Sequence, residues 1–381
     1  MISAPAWSKS TRTVPACQRC FRRVTFPGSL ISCRMCGGGS RDVRMRRSWS
    51  PRTASTASRG CTGLMTRNRS LRSLPARGCC SLRGIRSEDD AMGNDRFDRN
   101  ELFFGDEGQR RLRATRCTII GCGGLGTHVA QQLSLLGVRA INAVDREELD
   151  LTNRNRYVGA RYDDPIPGSR KVDLAERMIK SIDPEIEATK VAESFISYAG
   201  YDVIKTSDVV LGCLDTEAAR LILTEVCSAY ARTYIDLASD ILPGDPPTYG
   251  GRVCVSIGGE SCLSCLDVLD RREAGQELGG EVERRNRQAI YGVDAAALGS
   301  RGPSVVSING VVASLAVTEL MVHLTGLRAP QRLLNYSGRT GKVTASFDAP
   351  QADCWYCKSV WGQWEKVDVE KHIRSGLGNR L

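Results

Sequence analysis

From residue 92 onward the apolar positions follow two alternating periods. RCTII (116–120) is a short apolar run that reads as a strand and leads directly into GCGGLG (121–126). THVAQQLSLLG (127–137) then places Val129, Leu133 and Leu136 at helical spacing. INAVD (141–145) predicts a second strand that ends in an acid. KVDLAERMIKSI (171–182) predicts an amphipathic helix closed by Asp183-Pro184. DVVLGCLD (208–215), EAARLILTEVCSAY (217–230) and TYIDLA (233–238) continue the series as strand, helix and strand. This alternation predicts an α/β fold, a Rossmann-like and mostly parallel sheet with right-handed crossovers. GGRVCVSI (250–257) and RLLNYSGRTGKVTASF (332–347) predict antiparallel β additions, the second with a turn near Gly338–Gly341. The most apolar stretch, Ser304–Leu324, is interrupted by Ser307, Asn309, Ser314 and Glu319 and reads as a buried helix. No run of 18 apolar residues occurs, so no membrane span is expected. No internal repeat is visible.

Residues 1–91 have a different character. They are rich in Arg and Ser, their apolar residues are isolated, and neither period is sustained. That composition predicts disorder. Of the 53 Lys and Arg, 18 fall within residues 1–90, against 4 of the 43 Asp and Glu. The formal charge of +10 therefore resides in this segment and the remainder is net acidic. The main body gains no support for a nucleic-acid role. The segment reads as a leader, with Met92 as an alternative start and a transit peptide as a further reading. It holds one ordered-looking element, Cys17-x-x-Cys20 and Cys33-x-x-Cys36, whose spacing is compatible with a second, small zinc ribbon. No apolar stretch of a secretory signal follows the start. The 16 cysteines are expected to be thiols and metal ligands of a reducing compartment, in a cytoplasmic protein.

The glycine turn carries the first chemical signal. A strand running into GxGxxG and then a helix places backbone N–H groups and the positive helix end beside a phosphate. Gly121 and Gly123 permit a tight turn and close ligand approach, and Gly126 permits close helix packing. Asp145 ends the next strand, placed to hold ribose hydroxyls. A NAD-dependent oxidoreductase would show the same features. The following residues favour a triphosphate. Asn153 can donate to phosphate oxygens, Arg156 offers a planar cationic fork, and Lys171 opens a helix as a point charge. Asp215 ends a strand facing the same crevice, where a carboxylate near a triphosphate serves Mg²⁺. Hydride transfer needs neither Lys171 nor Asp215.

With Arg96-Phe-Asp-Arg99 before the first strand, GCGGLG, Asp145…Asn153-x-x-Arg156, Lys171, Asp215 and two Cys-x-x-Cys pairs, the stretch from about Arg96 to Cys357 resembles the ThiF/MoeB/HesA family, bacterial relatives of ubiquitin-activating enzymes. The resemblance implies an adenylyltransferase that uses Mg-ATP to activate the C-terminal Gly-Gly carboxylate of a ubiquitin-like or sulfur-carrier protein. It implies that Gly124, Glu147, Thr152 and Thr216 lie at the nucleotide beside the residues already named. It also implies that Arg99 enters the site of a neighbouring subunit, and hence a homodimer. The chain then divides into a leader (1–91), an ATP-binding domain (92–360) and a tail (361–381).

Cys262-x-x-Cys265 and Cys354-x-x-Cys357 are the second strong signal. Four thiolates would hold a tetrahedral Zn²⁺ with no open position, a structural site joining the C-terminal hairpin to the body. Some family members carry a reactive cysteine in the crossover before a GxxP-like segment. Aligned on Pro303, Ala295 takes that place. Adenylation without a thioester at that point is therefore expected. Cys117, Cys122, Cys213, Cys227 and Cys254 read as core or as flanking the first strand, and His128 and His323 as structural. The alternatives left open are adenylation of a peptide or of a tRNA-linked carboxylate, the oxidoreductase, and a scaffold without catalysis. Retention of Arg156, Lys171 and Asp215 weighs against the scaffold.

Overall fold

Five parallel strands in the order β3-β2-β1-β4-β5 are extended by three antiparallel ones, β6-β7-β8, into a single eight-stranded sheet. The computed structural model describes residues 96–242, 244–279 and 303–381. The strands are β1 (Arg116–Ile120), β2 (Ala140–Val144), β3 (Glu187–Val191), β4 (Val209–Gly212), β5 (Thr233–Leu242), β6 (Thr248–Ser256), β7 (Leu333–Ser337) and β8 (Lys342–Ala345). The helices are α1 (Asp98–Ala114), α2 (Gly124–Leu136), α3 (Lys171–Ile182), α4 (Tyr198–Lys205), α5 (Glu217–Ala229), α6 (Arg271–Leu278), α7 (Val306–Thr325) and the short α8 (Lys371–Arg374).

The period of two along each central strand assigns its side chains to two cores. Cys117 and Ile119 of β1, Val209 and Leu211 of β4, and Ile235 and Leu237 of β5 join α2, α3 and α7 on one face. Ile120, Val210 and Tyr234 from the same strands join α4 and α5 on the other. A fully buried Leu133 or Ile119 contributes about 1.5–3 kcal/mol relative to exposure. A polar chain crosses the second face: Asn142 Nδ2 donates to Thr118 Oγ1 at 2.8 Å, and Thr118 in turn contacts Ser207.

Every predicted strand and helix of the body forms. The helix after the glycine turn begins at Gly124 and β5 runs on to Leu242. β3, α1 and α4 are among the elements that had no clear apolar signal. β3 (EATKV) is a sheet edge with only Val191 buried. α1 is polar and breaks at Gly105 (φ 78°, ψ 165°). α4 is a short helix of 8 residues, started by Ser197 accepting from Gly200 N–H. Among the described residues α7 is the one helix long and apolar enough to cross a membrane. It packs against α1, α2, β5 and β6 and buries Asn309 and Glu319, the latter gripped by Arg328 at 2.6 and 2.8 Å.

Residues 361–381, set apart as a tail in the sequence, dock on the α4–α5 face. Val369 and Leu377 are buried there, Tyr201 Oη donates to the Val369 carbonyl at 3.3 Å, and Lys371 and His372 meet Glu225 at 2.6 and 3.0 Å. The paired cysteines at 17, 20, 33 and 36, and position 295, lie outside the described residues.

Candidate functional site

β1 and β4 are neighbours at the point where strand order reverses, and their carboxyl ends form the crevice where open α/β sheets bind ligands. Gly121 leaves β1 with φ +91°, and a Cβ there would stand 2.6 Å from the Cys213 carbonyl at the end of β4. A Cβ on Gly126 would stand 2.0 Å from the Gly121 carbonyl, so α2 rests directly on the turn. A Cβ on Gly124 would meet Asn309 Nδ2 at 2.4 Å and the Arg156 stem at 3.3 Å. A Cβ on Gly123 would meet no atom within 4 Å. The protein needs three of these glycines for its own packing and leaves open space over the fourth, at the uncapped N-terminus of α2. Such a terminus suits an anion.

These two kinds of glycine separate by mutation. Gly126→Ala is expected to cost about 1–3 kcal/mol in urea unfolding, because backbone must move. Gly123→Ala is expected to leave stability within about 0.5 kcal/mol and to weaken nucleotide binding. Equal stability of the two variants would contradict this division.

Beside the turn, Asp145 follows β2. Its Oδ2 accepts from Cys122 N–H at 2.7 Å and its Oδ1 from Glu147 N–H at 2.8 Å. Burial pushes its carboxyl above the usual range, against the opposing pull of Lys171 and those N–H donors. Each carboxylate oxygen retains capacity to accept a hydroxyl. The loop from Glu147 to Leu149 is stitched to the segment entering α3: Lys171 N–H donates to the Glu147 carbonyl at 3.0 Å and Leu149 N–H to the Ser169 carbonyl at 2.7 Å. Lys171 Nζ, with its side chain 8% exposed, thereby meets Glu147 Oε2 at 2.5 Å under Asp145.

Arg156 lies with its stem against Gly124 and donates from Nη1 to the Thr152 carbonyl at 2.7 Å and Asn155 Oδ1 at 3.2 Å. Thr152 and the buried Asn153 form the short 3-10 turn just before it, with Asp150 Oδ1 accepting from Thr152 N–H at 2.7 Å. Asp215 is exposed two residues beyond Cys213, and its side chain makes no hydrogen bond among the described residues. Thr216 caps α5, its Oγ1 accepting from Ala219 N–H at 3.4 Å. The structure therefore brings Gly121–Gly126, Asp145, Glu147, Lys171 and Arg156 together and places Asp215 at the neighbouring strand end.

Arg99 is not among them. It is exposed on α1 next to Phe97, whose ring packs on Gly137 at the far end of α2. Thirteen residues of helix put that end about 20 Å from the glycine turn. The sequence had registered Asn309 only as an interruption of an apolar run. The structure buries it against Gly124. Burial raises the thiols of Cys117, Cys122, Cys213, Cys227 and Cys254, which suits core residues rather than nucleophiles. Burial lowers both His128 and His323, which keeps them neutral.

Away from the crevice, Cys262, Cys265, Cys354 and Cys357 are all buried with their sulfurs within 4.8 Å of one another. Cys262–Cys354 and Cys265–Cys357 are separated by 3.6 and 3.9 Å. Tetrahedral zinc with Zn–S of about 2.3 Å requires sulfurs about 3.8 Å apart. The set fits Zn²⁺. Crowding couples the thiols: Cys265 is held low by hydrogen bonds from Cys262 and Cys357, and Cys357 is driven up.

The ThiF family model matches residues 97–356. The chain is 29% identical over 173 residues to the sulfur carrier protein ThiS adenylyltransferase of Bacillus subtilis, covering 45% of this chain and 50% of that protein. It is 26% identical over 163 residues to the bovine adenylyltransferase and sulfurtransferase MOCS3, covering 43% and 34%. The chain thus spans between a third and a half of these relatives. Escherichia coli MccB, solved with ATP, shares the fold with a TM-score of 0.53 at 19% identity, over 70% of this chain and 75% of that one. These relatives do not favour the oxidoreductase reading. From its glycine turn to its cysteine knuckles, this chain belongs to the ThiF family.

Proposed function

We propose that this chain binds ATP over the Gly121–Gly126 turn and adenylates the C-terminal carboxylate of a ubiquitin-like or sulfur-carrier protein, releasing pyrophosphate. The observation that carries this reading is the convergence of Asp145, Glu147, Lys171 and Arg156 around the glycine turn. Relatives named as adenylyltransferases support it, as does a neighbour solved with ATP.

The acceptor carboxylate is ionised at neutral pH and attacks the α-phosphorus. An O–P bond forms as the bridging bond to the β-phosphate breaks, and pyrophosphate leaves with its electron pair. No proton moves, so the site must align and neutralise rather than supply a base. Asp145 receives the ribose hydroxyls. Arg156, Asn153 and Lys171 bind phosphate oxygens, and the α2 N-terminus adds its dipole. Mg²⁺ would add charge neutralisation on the phosphates, and Asp215 is the residue to hold it. One exposed carboxylate suits an ion that keeps waters and phosphate oxygens as its other ligands. Arg99, remote from its own turn, is assigned to a second copy's site in a homodimer. A cytoplasmic location is part of this proposal, supported by the free thiols of the described cysteines.

ATP–pyrophosphate exchange tests this directly. Exchange should appear when a small protein ending in Gly-Gly is added. Exchange with none of a panel of such proteins, and with neither peptides nor modified tRNA, would overturn adenylation. Exchange confined to peptides or to tRNA would keep the chemistry and replace the acceptor.

A further inference from the structure

We infer that Asn309 is a further nucleotide-binding residue, its side-chain amide donating to a phosphate oxygen held at the Gly123–Gly124 turn; the inference rests on the ATP reading of that turn. Asn309 lies in the first turns of α7 and is 2% exposed, among Val312, Ala313 and Ala316 of the core. A polar group so buried requires partners. Its Oδ1 accepts from Ser239 Oγ at 2.7 Å, and Nδ2 donates to Ser304 Oγ at 3.2 Å. Those bonds engage the oxygen and one of two N–H groups. The second N–H makes no hydrogen bond among the described residues.

The position of that amide nitrogen is the telling point. Nδ2 stands 2.4 Å from where a Gly124 Cβ would lie, against the first turn of α2 and beside the Arg156 stem. Helix N-termini carry partial positive charge, and Arg156 is cationic. Nδ2 packs on the Gly124 backbone itself, so an anion held at the turn would lie beside this contact, where it could accept the second N–H. Ser239 and Ser304, from β5 and from the residues leading into α7, tether the carboxamide from two sides in this orientation. The open space over Gly123 adjoins the same place. The helix end, the Arg156 stem and the Asn309 amide thus lie together at Gly124.

The test is the binding of ATP and AMP to the full chain and its variants, with melting temperatures measured alongside. Asn309→Asp keeps the shape and the acceptor for Ser239, and the Ser304 hydroxyl can turn to donate to it. It should melt like the parent. It should bind ATP about a hundredfold more weakly, because a carboxylate then faces the phosphates, and AMP less so. Asn309→Ala should lose about tenfold for ATP through the missing donor. A purely structural asparagine would leave the ratio of ATP to AMP affinity unchanged in both variants, and that result overturns the inference. If Asn309→Asp does not fold, the alanine variant decides by the same ratio. A parent chain that fails to bind ATP would overturn the ATP reading and this inference together. Parent binding with unaltered variants would overturn the inference alone.

Discussion

Asp215→Ala is expected to reduce ATP–pyrophosphate exchange by about 10²–10³-fold, the scale of losing one preorganised electrostatic group. The same change should leave unfolding free energy within about 0.5 kcal/mol. Asp215 is exposed, and its carboxylate holds no hydrogen bond among the described residues. Its charge acts on Glu277, whose carboxyl is raised chiefly by burial and in smaller part by Glu273, Glu217 and Asp215. Removing Asp215 relieves a repulsion rather than breaking a contact. The loss of activity should deepen as Mg²⁺ is lowered in the parent and flatten in the variant. Full exchange by Asp215→Ala would remove the metal role. A large fall in stability would show that the residue supports the β4–α5 connection instead.

Cys354→Ser is expected to produce the largest loss of stability. The four thiols join the knuckle after β6 to the turn that leads into the docked tail, across 92 residues of chain. Structural zinc in small domains contributes about 10–16 kcal/mol of apparent binding energy. This body has a large core of its own, so the loss should be several kcal/mol, seen as a fall in melting temperature of about 10 °C or more. A strong chelator should reproduce the effect in the parent and have none in the variant. Zinc content should fall from one ion to none in a chain lacking residues 1–91. Two ions in the full chain would support a second site at Cys17, Cys20, Cys33 and Cys36. A parent without zinc, melting as the variant does, would contradict the site.

Much of the body was legible because the central strands are buried on both faces and read as plain apolar runs, such as Ile119-Ile120 and Val209-Val210-Leu211. The glycine turn was legible for a related reason. Gly121 and Gly126 answer to backbone contacts that no side chain tolerates, and those contacts recur wherever a strand turns tightly into a helix. β3 escaped because it lies at an edge and exposes its polar residues. α1 escaped because its contacts are made by Phe97, Gln109 and Leu112 at scattered points on a polar helix. The tail escaped because isolated residues such as Val369 and Leu377 fill pockets with no repeating period. Asn309 marks the limit within the site. On the page of sequence it breaks an apolar stretch. Only the crossing of α7 over α2 brings it to Gly124, nearly two hundred positions earlier.

The proposal that Lys171 and Arg156 bind phosphates at the open turn predicts that the crevice reads phosphate number. Calorimetric titration of the chain with ATP, ADP, AMP and NAD in the presence of Mg²⁺ measures this without knowledge of the acceptor. ATP should bind most tightly and AMP much more weakly. Lys171→Ala and Arg156→Ala should each lower ATP affinity by at least about tenfold and leave AMP nearly unchanged. Affinity for NAD equal to or above that for ATP, or no difference between ATP and AMP, would contradict a triphosphate site at the Gly121–Gly126 turn.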